Sequence, residues 1–265
     1  MKLLTKIIVP ALTVVIGLTG CANAPEPTTG QPTTVETVKV DTRNFNKAPE
    51  VVRNAIIKTG GISNWSTIRK IKGIAIVSDY ITQPGKVTAT QFKYIAKLTS
   101  NQIAKSITVD EIKNDNPLRF TAFSKDETLA SCLGEKDSEK LYKGFFALVC
   151  DQLTGALNLL PANISAKDIS KVRIHGETFI RIANRATKGA YYFDPKTSLL
   201  RFVTDGADKP GKLGTISIFT YKANAHQCEL PESIEIRKIG DRVLLGNDQL
   251  FIIDLANTTF STYAE

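Results

Sequence analysis

Histidine, the side chain most often used in acid–base catalysis, occurs only twice in this sequence of 265 residues, as His175 and His226. A hydrolytic triad combines a serine or cysteine nucleophile with a histidine and a carboxylate. No nucleophile-elbow motif accompanies either histidine. We therefore predict that the protein is not an enzyme and that it has no catalytic residue.

Metal and phosphate sites also lack a convincing pattern. His226 and Cys228 could supply two metal ligands, but no second pair at ligand spacing completes a site. The glycines at 60, 61 and 240 suit helix ends and turns, and no glycine-rich loop is present to hold a phosphate. The sequence therefore predicts neither a metal nor another cofactor.

The clearest chemistry belongs to Cys21, which follows Leu18-Thr19-Gly20. Lys2 and Lys6 begin the chain and an apolar run follows from residue 7 to 18, which is the anatomy of a secretory signal. The run is shorter than the roughly twenty apolar residues that a membrane-spanning helix needs. The Cys21 thiol is the best nucleophile available at neutral pH.

The motif Leu18-Thr19-Gly20-Cys21 resembles the lipobox of bacterial lipoproteins. The resemblance implies that residues 1–20 are a signal peptide and that Cys21 becomes a thioether to diacylglycerol with an acylated, palmitate-type amino group. In Gram-negative members an aspartate after the cysteine favours the inner membrane, so Ala22 implies a lipid anchor in the outer membrane, on the periplasmic side. The alternative is an ordinary secretory signal containing a chance cysteine.

Residues 21–46 are rich in proline and threonine and hold few large apolar groups. Such a segment cannot bury enough surface to offset the entropy of ordering, so we predict a tether. The formal charge is +8, or about +6 without Lys2 and Lys6. A basic surface could meet anionic lipid or an acidic partner, whereas no nucleic-acid partner is expected for an exported protein.

Three further cysteines are Cys132, Cys150 and Cys228. The oxidising periplasm permits a disulfide, and Cys132 with Cys150 is the favoured pair because these two are closest in sequence. The alternative for Cys150 is a buried thiol within a helix.

Residues 47–265 form the predicted folded domain. A first helix should begin at Pro49 and stop at Gly60-Gly61, and one long helix should run from Ser138 to Leu160, with apolar residues on more than one side. Alternating or short apolar runs predict eleven or twelve strands: 71–81, 87–98, 102–111, 118–123, 172–175, 178–183, 190–193, 199–203, 215–221, 234–238, 243–245 and 250–255.

This content predicts an α+β, mainly β protein, with a large curled antiparallel sheet and helices packed against one of its faces. Residues 62–71, 191–200 and 230–236 resemble segments of lipoprotein-sorting-protein-like domains, the relatives of the LolA/LolB carriers. The resemblance covers about residues 48–260. It implies that the large curved antiparallel sheet is an unclosed half-barrel with helices packed on its concave face, and that the domain handles a hydrophobic cargo.

The apolar stripe of the long helix has two interpretations, either the floor or lid of a lipid pocket or core packing against the sheet. The first predicts binding of a lipid or acyl chain, in lipid or lipoprotein handling at the envelope. The alternative is a structural or sensory protein-binding lipoprotein with a solidly packed core and no ligand. The predicted ligand-binding residues are Trp65, Leu141, Phe145, Leu148, Val149, Leu153 and Leu157.

Overall fold

One sheet of eleven antiparallel strands organises the structure, a computed structural model that describes residues 43–83, 85–99, 104–112, 115–124, 129–133, 137–160, 162–184, 189–205, 214–221, 230–239 and 248–262. The strands are β1 (Lys70–Asp79), β2 (Thr88–Leu98), β3 (Ala104–Glu111), β4 (Arg119–Phe123), β5 (Ile169–Ile174), β6 (Glu177–Asn184), β7 (Gly189–Phe193), β8 (Leu200–Asp205), β9 (Gly214–Thr220), β10 (Ser233–Ile239) and β11 (Asp248–Ser261).

The strand order is β4-β3-β2-β1-β11-β10-β9-β8-β7-β6-β5, so the last strand inserts beside the first and β4 and β5 form the two edges. The helices are α1 (Arg43–Lys47), α2 (Glu50–Lys58), α3 (Gly61–Thr67), α4 (Leu129–Cys132) and α5 (Ser138–Gln152). Two 3₁₀ turns follow α5, at Gly155–Leu159 and Ala166–Asp168. No helix within the described residues is long and apolar enough to cross a bilayer.

The inner face of the sheet is set by strict alternation, most clearly in β2. Phe92, Tyr94, Ala96 and Leu98 of this strand are buried, while the residues between them are exposed. The pairing of the strands places buried residues of both neighbours on this inner face, since Phe92 pairs with Ala75 of β1 and Tyr94 pairs with Val109 of β3. A smaller apolar cluster lies on the opposite face of β5–β10, which explains why β7 is buried on both sides.

The sheet curves around α5. Ring centroids 5.9, 5.0 and 4.5 Å apart link Phe120 of β4 through Phe146 and Phe145 to Phe251 of β11. In a flat sheet, β4 and β11 would lie about 19 Å apart, because they are four positions apart in the strand order. The path through the three ring contacts is shorter than this distance, so the sheet must curve. The predicted fold class is therefore confirmed, since the unclosed sheet holds helices on its concave face.

Several element boundaries differ from the sequence prediction. Gly60 has φ +118, which ends α2, and α3, a helix that the sequence did not predict, follows it. Asn257 has φ +51 beside an irregularity in the β1–β11 pairing, and this bulge lets β11 continue to Ser261. Gly155 has φ +53 and ends the regular part of the predicted 138–160 helix.

The predicted tether and one predicted strand can be compared with the structure only in part. Residues 43–46 of the predicted tether lie in α1, whose Phe45 packs against the core. The predicted strand 243–245 and the tether residues before 43 lie outside the described residues.

A buried carboxylate joins the sheet to α5. Asp79 has no solvent exposure, and its Oδ1 accepts hydrogen bonds from the backbone N–H groups of Ile81 at 2.8 Å and Thr82 at 2.9 Å. Its Oδ2 accepts from the Thr82 hydroxyl and, at 3.1 Å, from the Tyr142 hydroxyl of α5. Burial and the nearby Asp79 carboxylate together raise the pKa of Tyr142, so its hydroxyl remains a donor.

Replacing Asp79 should therefore cost much more stability than replacing its partner on α5. Asp79→Ala leaves the part-buried backbone N–H groups of Ile81 and Thr82 and the Tyr142 hydroxyl without their acceptor, so we expect a loss of about 3 kcal/mol in the free energy of unfolding. Tyr142→Phe removes one donor and should cost about 1 kcal/mol. Urea unfolding of both variants measures the difference, and equal losses would contradict the role of Asp79 in closing the turn.

Candidate functional site

The seven predicted ligand-binding residues all lie in the packed core. Trp65 is 1% exposed; its Nε1 donates to the Thr59 carbonyl at 2.8 Å, and its ring meets Phe260 edge-on at a centroid distance of 6.2 Å. The other six belong to α5 and the segment after it, and none is more than 9% exposed: Leu141, Phe145, Leu148, Val149, Leu153 and Leu157.

The space left beside these side chains is small. A cavity of about 10 Å³ lies between α2, α3 and the end of α5, and its lining includes Trp65, Leu153 and Leu200. That volume is close to the minimum needed for one water molecule. The helix therefore fills the concave face at this point, as the core-packing interpretation requires.

Cys132 and Cys150 are both buried as thiols, so the predicted disulfide between them is not present in the structure. Cys132 on α4 packs against α5 at Gly144, where an added Cβ would lie 2.7 Å from the Cys132 sulfur. Cys150 is six residues further along α5, which is about 9 Å along the helix axis. A disulfide spans at most about 7 Å between Cα atoms, so the spacing along α5 separates the two thiols.

A much larger cleft lies at the β5 edge of the sheet. It has a volume of about 370 Å³, within the range of small-molecule sites. Its walls come from the start of α2, from β5 and β6, and from the turn after β7: Pro49, Glu50, Val51, Asn54, Ile169, Ile180, Pro195 and Ser198.

The apolar part of this cleft is continuous with the core. Val51, Ile169 and Ile180 are half-buried and pack against the main hydrophobic cluster. Glu50 is exposed, and it lies with Asn54 and Ser198 among the lining residues. The arrangement offers an apolar inner wall with polar groups beside it, which suits an amphipathic ligand.

Local structure fixes one rim of the cleft. Asp194 accepts a hydrogen bond from the backbone N–H of Lys196 at 2.8 Å and from the Thr197 hydroxyl at 3.0 Å. The backbone N–H of Ser198, whose φ is +63, donates to the Asp194 carbonyl at 2.8 Å. The sequence identifies residues 194–197 as a turn, but nothing in it indicates that this turn faces α2, because that proximity is long-range.

A second cavity of about 230 Å³ is lined by Leu159, Ala162, Asn163, Ile164, Asp168, Ala183 and Asn184. Its buried carboxylate, Asp168, already accepts from the backbone N–H and the hydroxyl of Ser165 at 2.9 and 2.6 Å. Asn184 also forms a hydrogen bond with the buried Tyr191 hydroxyl. These polar groups are therefore engaged in holding the local structure.

The remaining sequence candidates do not gather into a site. His175 lies in the exposed turn between β5 and β6, with φ +48, rather than within a strand. Cys21, His226 and Cys228 lie outside the described residues. Among the residues that the structure describes, no three metal-binding side chains are close enough to hold an ion.

No protein-family model and no curated protein matches the sequence. A DUF1329 family protein from Desulfovibrio piger is similar in structure, with a TM-score of 0.42 and 10% identity over 81% of this chain and 93% of that chain. A LolA superfamily protein from Nitrosomonas europaea has a TM-score of 0.40 and 8% identity, with the same coverage of both chains.

Asp151, at the end of α5, lowers the stability of the folded state when it is ionised. Burial, followed by the nearby Asp205 carboxylate, raises the pKa of Asp151 from its usual 3.8 to about 6. The folded state then holds its proton more tightly than the unfolded state, so stability falls as the pH rises through this interval and stays lower above it.

Asp151→Asn should remove the loss of stability that ionisation of Asp151 causes. At neutral pH we expect the free energy of unfolding of the variant to be about 2 kcal/mol higher than that of the unmodified protein. Near pH 4 we expect the two free energies of unfolding to be equal. Urea unfolding at the two pH values measures the change. Parallel pH profiles for the two proteins would show that Asp151 is not the responsible group.

Proposed function

We propose that this protein is a lipoprotein, anchored in the outer membrane through Cys21, whose domain binds a lipid or acyl chain in the cleft at the β5 edge. It would serve lipid or lipoprotein handling at the cell envelope, on the periplasmic side. The observation that carries the proposal is the 370 Å³ cleft, which joins an apolar wall to the core at an open edge of the sheet.

Binding would rest on hydrophobic burial. Each methylene removed from water contributes about 0.8 kcal/mol, and Val51, Ile169 and Ile180 supply the surface that an acyl chain would cover. The polar head of the ligand would then lie near Asn54 and Ser198. The resemblance to the LolA/LolB carriers supports a hydrophobic cargo, and the curved, unclosed sheet agrees with that resemblance.

One observation favours a second function, that of a structural or sensory protein-binding module. The concave face is filled by α5, and the space beside Trp65 and Leu153 measures about 10 Å³. A solid interior suits a scaffold that presents its surface to another envelope protein. Crosslinking in cells distinguishes the two, because a single protein partner retained after the cleft is blocked favours the module.

Filling the cleft should abolish ligand uptake. Asn54→Trp places a large ring in the cleft from a half-buried position on α2, and we expect the affinity for a fluorescent fatty acid to fall about tenfold or more. Lys58→Trp, an exposed position on the same helix outside the cleft lining, is the matched control and should bind normally.

The measurement uses residues 22–265, which include every residue of the sheet and the core. Native mass spectrometry of this chain, exported behind a cleavable signal peptide and purified without detergent from the soluble periplasmic fraction, should show a co-purified lipid that Asn54→Trp lacks. An empty chain that takes up no fatty acid would exclude the carrier function and leave the protein-binding module.

The anchor has its own test. In the full chain, Cys21→Ser removes the thiol that would carry diacylglycerol, so the protein should move from the membrane fraction to the soluble periplasmic fraction. Mass spectrometry of the unchanged protein should show the acylated Cys21 at its amino terminus. An amino terminus without acyl groups in the unchanged protein would contradict the lipid anchor.

A further inference from the structure

Lysines concentrate on the outer face of β1 and β2, the side of the sheet away from α5. In the paired strands, Lys70 stands opposite Lys97, Lys72 opposite Ile95, and Ile74 opposite Lys93. We name the group Lys72, Lys93, Lys97 and Ile95 the lysine face. All four of these side chains are exposed.

Ile95 occupies the centre of the lysine face and is 42% exposed. Lys93 and Lys97 flank it at two residues along its own strand, Lys72 lies directly across on β1, and Thr108 lies directly across on β3. Phe123, 45% exposed on β4, extends this surface, because it pairs with Ser106, which in turn pairs with Lys97.

The lysines have little local compensation. The carboxylate that faces this group across the strand pairing is that of Asp110, which stands opposite Lys93 on β3 but is held by the Arg119 guanidinium at 2.6 Å. Neither Lys72 nor Lys97 forms a salt bridge with a residue that the structure describes. The lysine face therefore presents a net positive charge around an apolar side chain.

Neither folding nor protection of the sheet explains this arrangement. Like charges close together on one face of an antiparallel pair are destabilising, and Lys72 lies diagonally between Lys93 and Lys97 in the strand register. Lysines also protect sheet edges against pairing with other chains. However, β2 lies between β1 and β3, so its backbone is already paired on both sides.

We propose that the lysine face docks on an anionic phospholipid surface. The ammonium groups of Lys72, Lys93 and Lys97 would meet the lipid phosphates, while Ile95 and Phe123 enter the interfacial layer. The inference goes beyond ligand binding in the cleft and uses the proposed anchor only to bring the domain near a membrane. Docking would hold the tethered domain in one orientation on the bilayer.

Vesicle binding by residues 22–265, without the anchor, tests this proposal. The probe is co-sedimentation with phosphatidylethanolamine–phosphatidylglycerol vesicles, compared with pure phosphatidylcholine. Each lysine near an anionic surface strengthens partitioning about fivefold. Partitioning of the variant Lys72→Gln/Lys93→Gln/Lys97→Gln to the anionic vesicles should therefore be weaker by on the order of 100-fold. Ile95→Ser should lower the partitioning several-fold through its apolar contact.

The matched control is Lys58→Gln/Lys143→Gln/Lys167→Gln, which removes the same charge from exposed positions elsewhere. It should retain most of the binding, and thermal unfolding checks that both triple variants remain folded. Equal losses in the two triple variants would mean that net charge alone acts. The proposal would also be overturned if the unchanged protein showed no preference for anionic vesicles. The same holds if it bound an acidic polypeptide but no vesicles.

Because the cleft is remote from the lysine face in strand order, Asn54→Trp should bind the vesicles normally. Failure of ligand binding and failure of membrane docking are thus separate results.

Discussion

The packing of α5 into the concave face of the sheet is the interaction on which the rest of the structure depends. The rings of Phe145 and Phe146 contact Phe92, Phe120 and Phe251, which come from three different strands. These contacts require the strands to curve toward the helix, and the space beside Trp65 and Leu153, among the residues that the structure describes, measures about 10 Å³. The cleft of about 370 Å³ lies instead at the β5 edge.

The two ends of α5 are held in different ways. At its start, Tyr142 reaches Asp79, a buried carboxylate whose hydrogen bonds are satisfied. At its end, the Gln152 side-chain oxygen is buried without a hydrogen-bond partner among the described residues, and Asp151 is buried near a second carboxylate. An unsatisfied buried polar atom costs about 1–3 kcal/mol, so the end of α5 is the less stable attachment.

The cleft and the lysine face lie on different parts of one rigid sheet. The cleft opens at the β5 edge, where apolar side chains of the core reach the surface. The lysine face lies on the outer side near the other edge, where no described helix covers the strands. Neither surface includes a residue of α5.

The sequence by itself determined the fold class, because strict alternation in β2 and the apolar stripe of α5 identify a sheet with a helix packed on it. It also specified the stop at Gly60, whose chemistry is local, whereas the regular part of α5 ends at Gln152, short of the predicted Leu160. It could not place the cleft at the β5 edge, whose walls come from segments distant in the chain. It also could not show that Cys132 packs at Gly144 rather than at Cys150, since that depends on how α4 docks on α5. Only the tertiary structure decided that α5 fills the interior and that lysines from β1 and β2 meet, because strand register is fixed by long-range pairing.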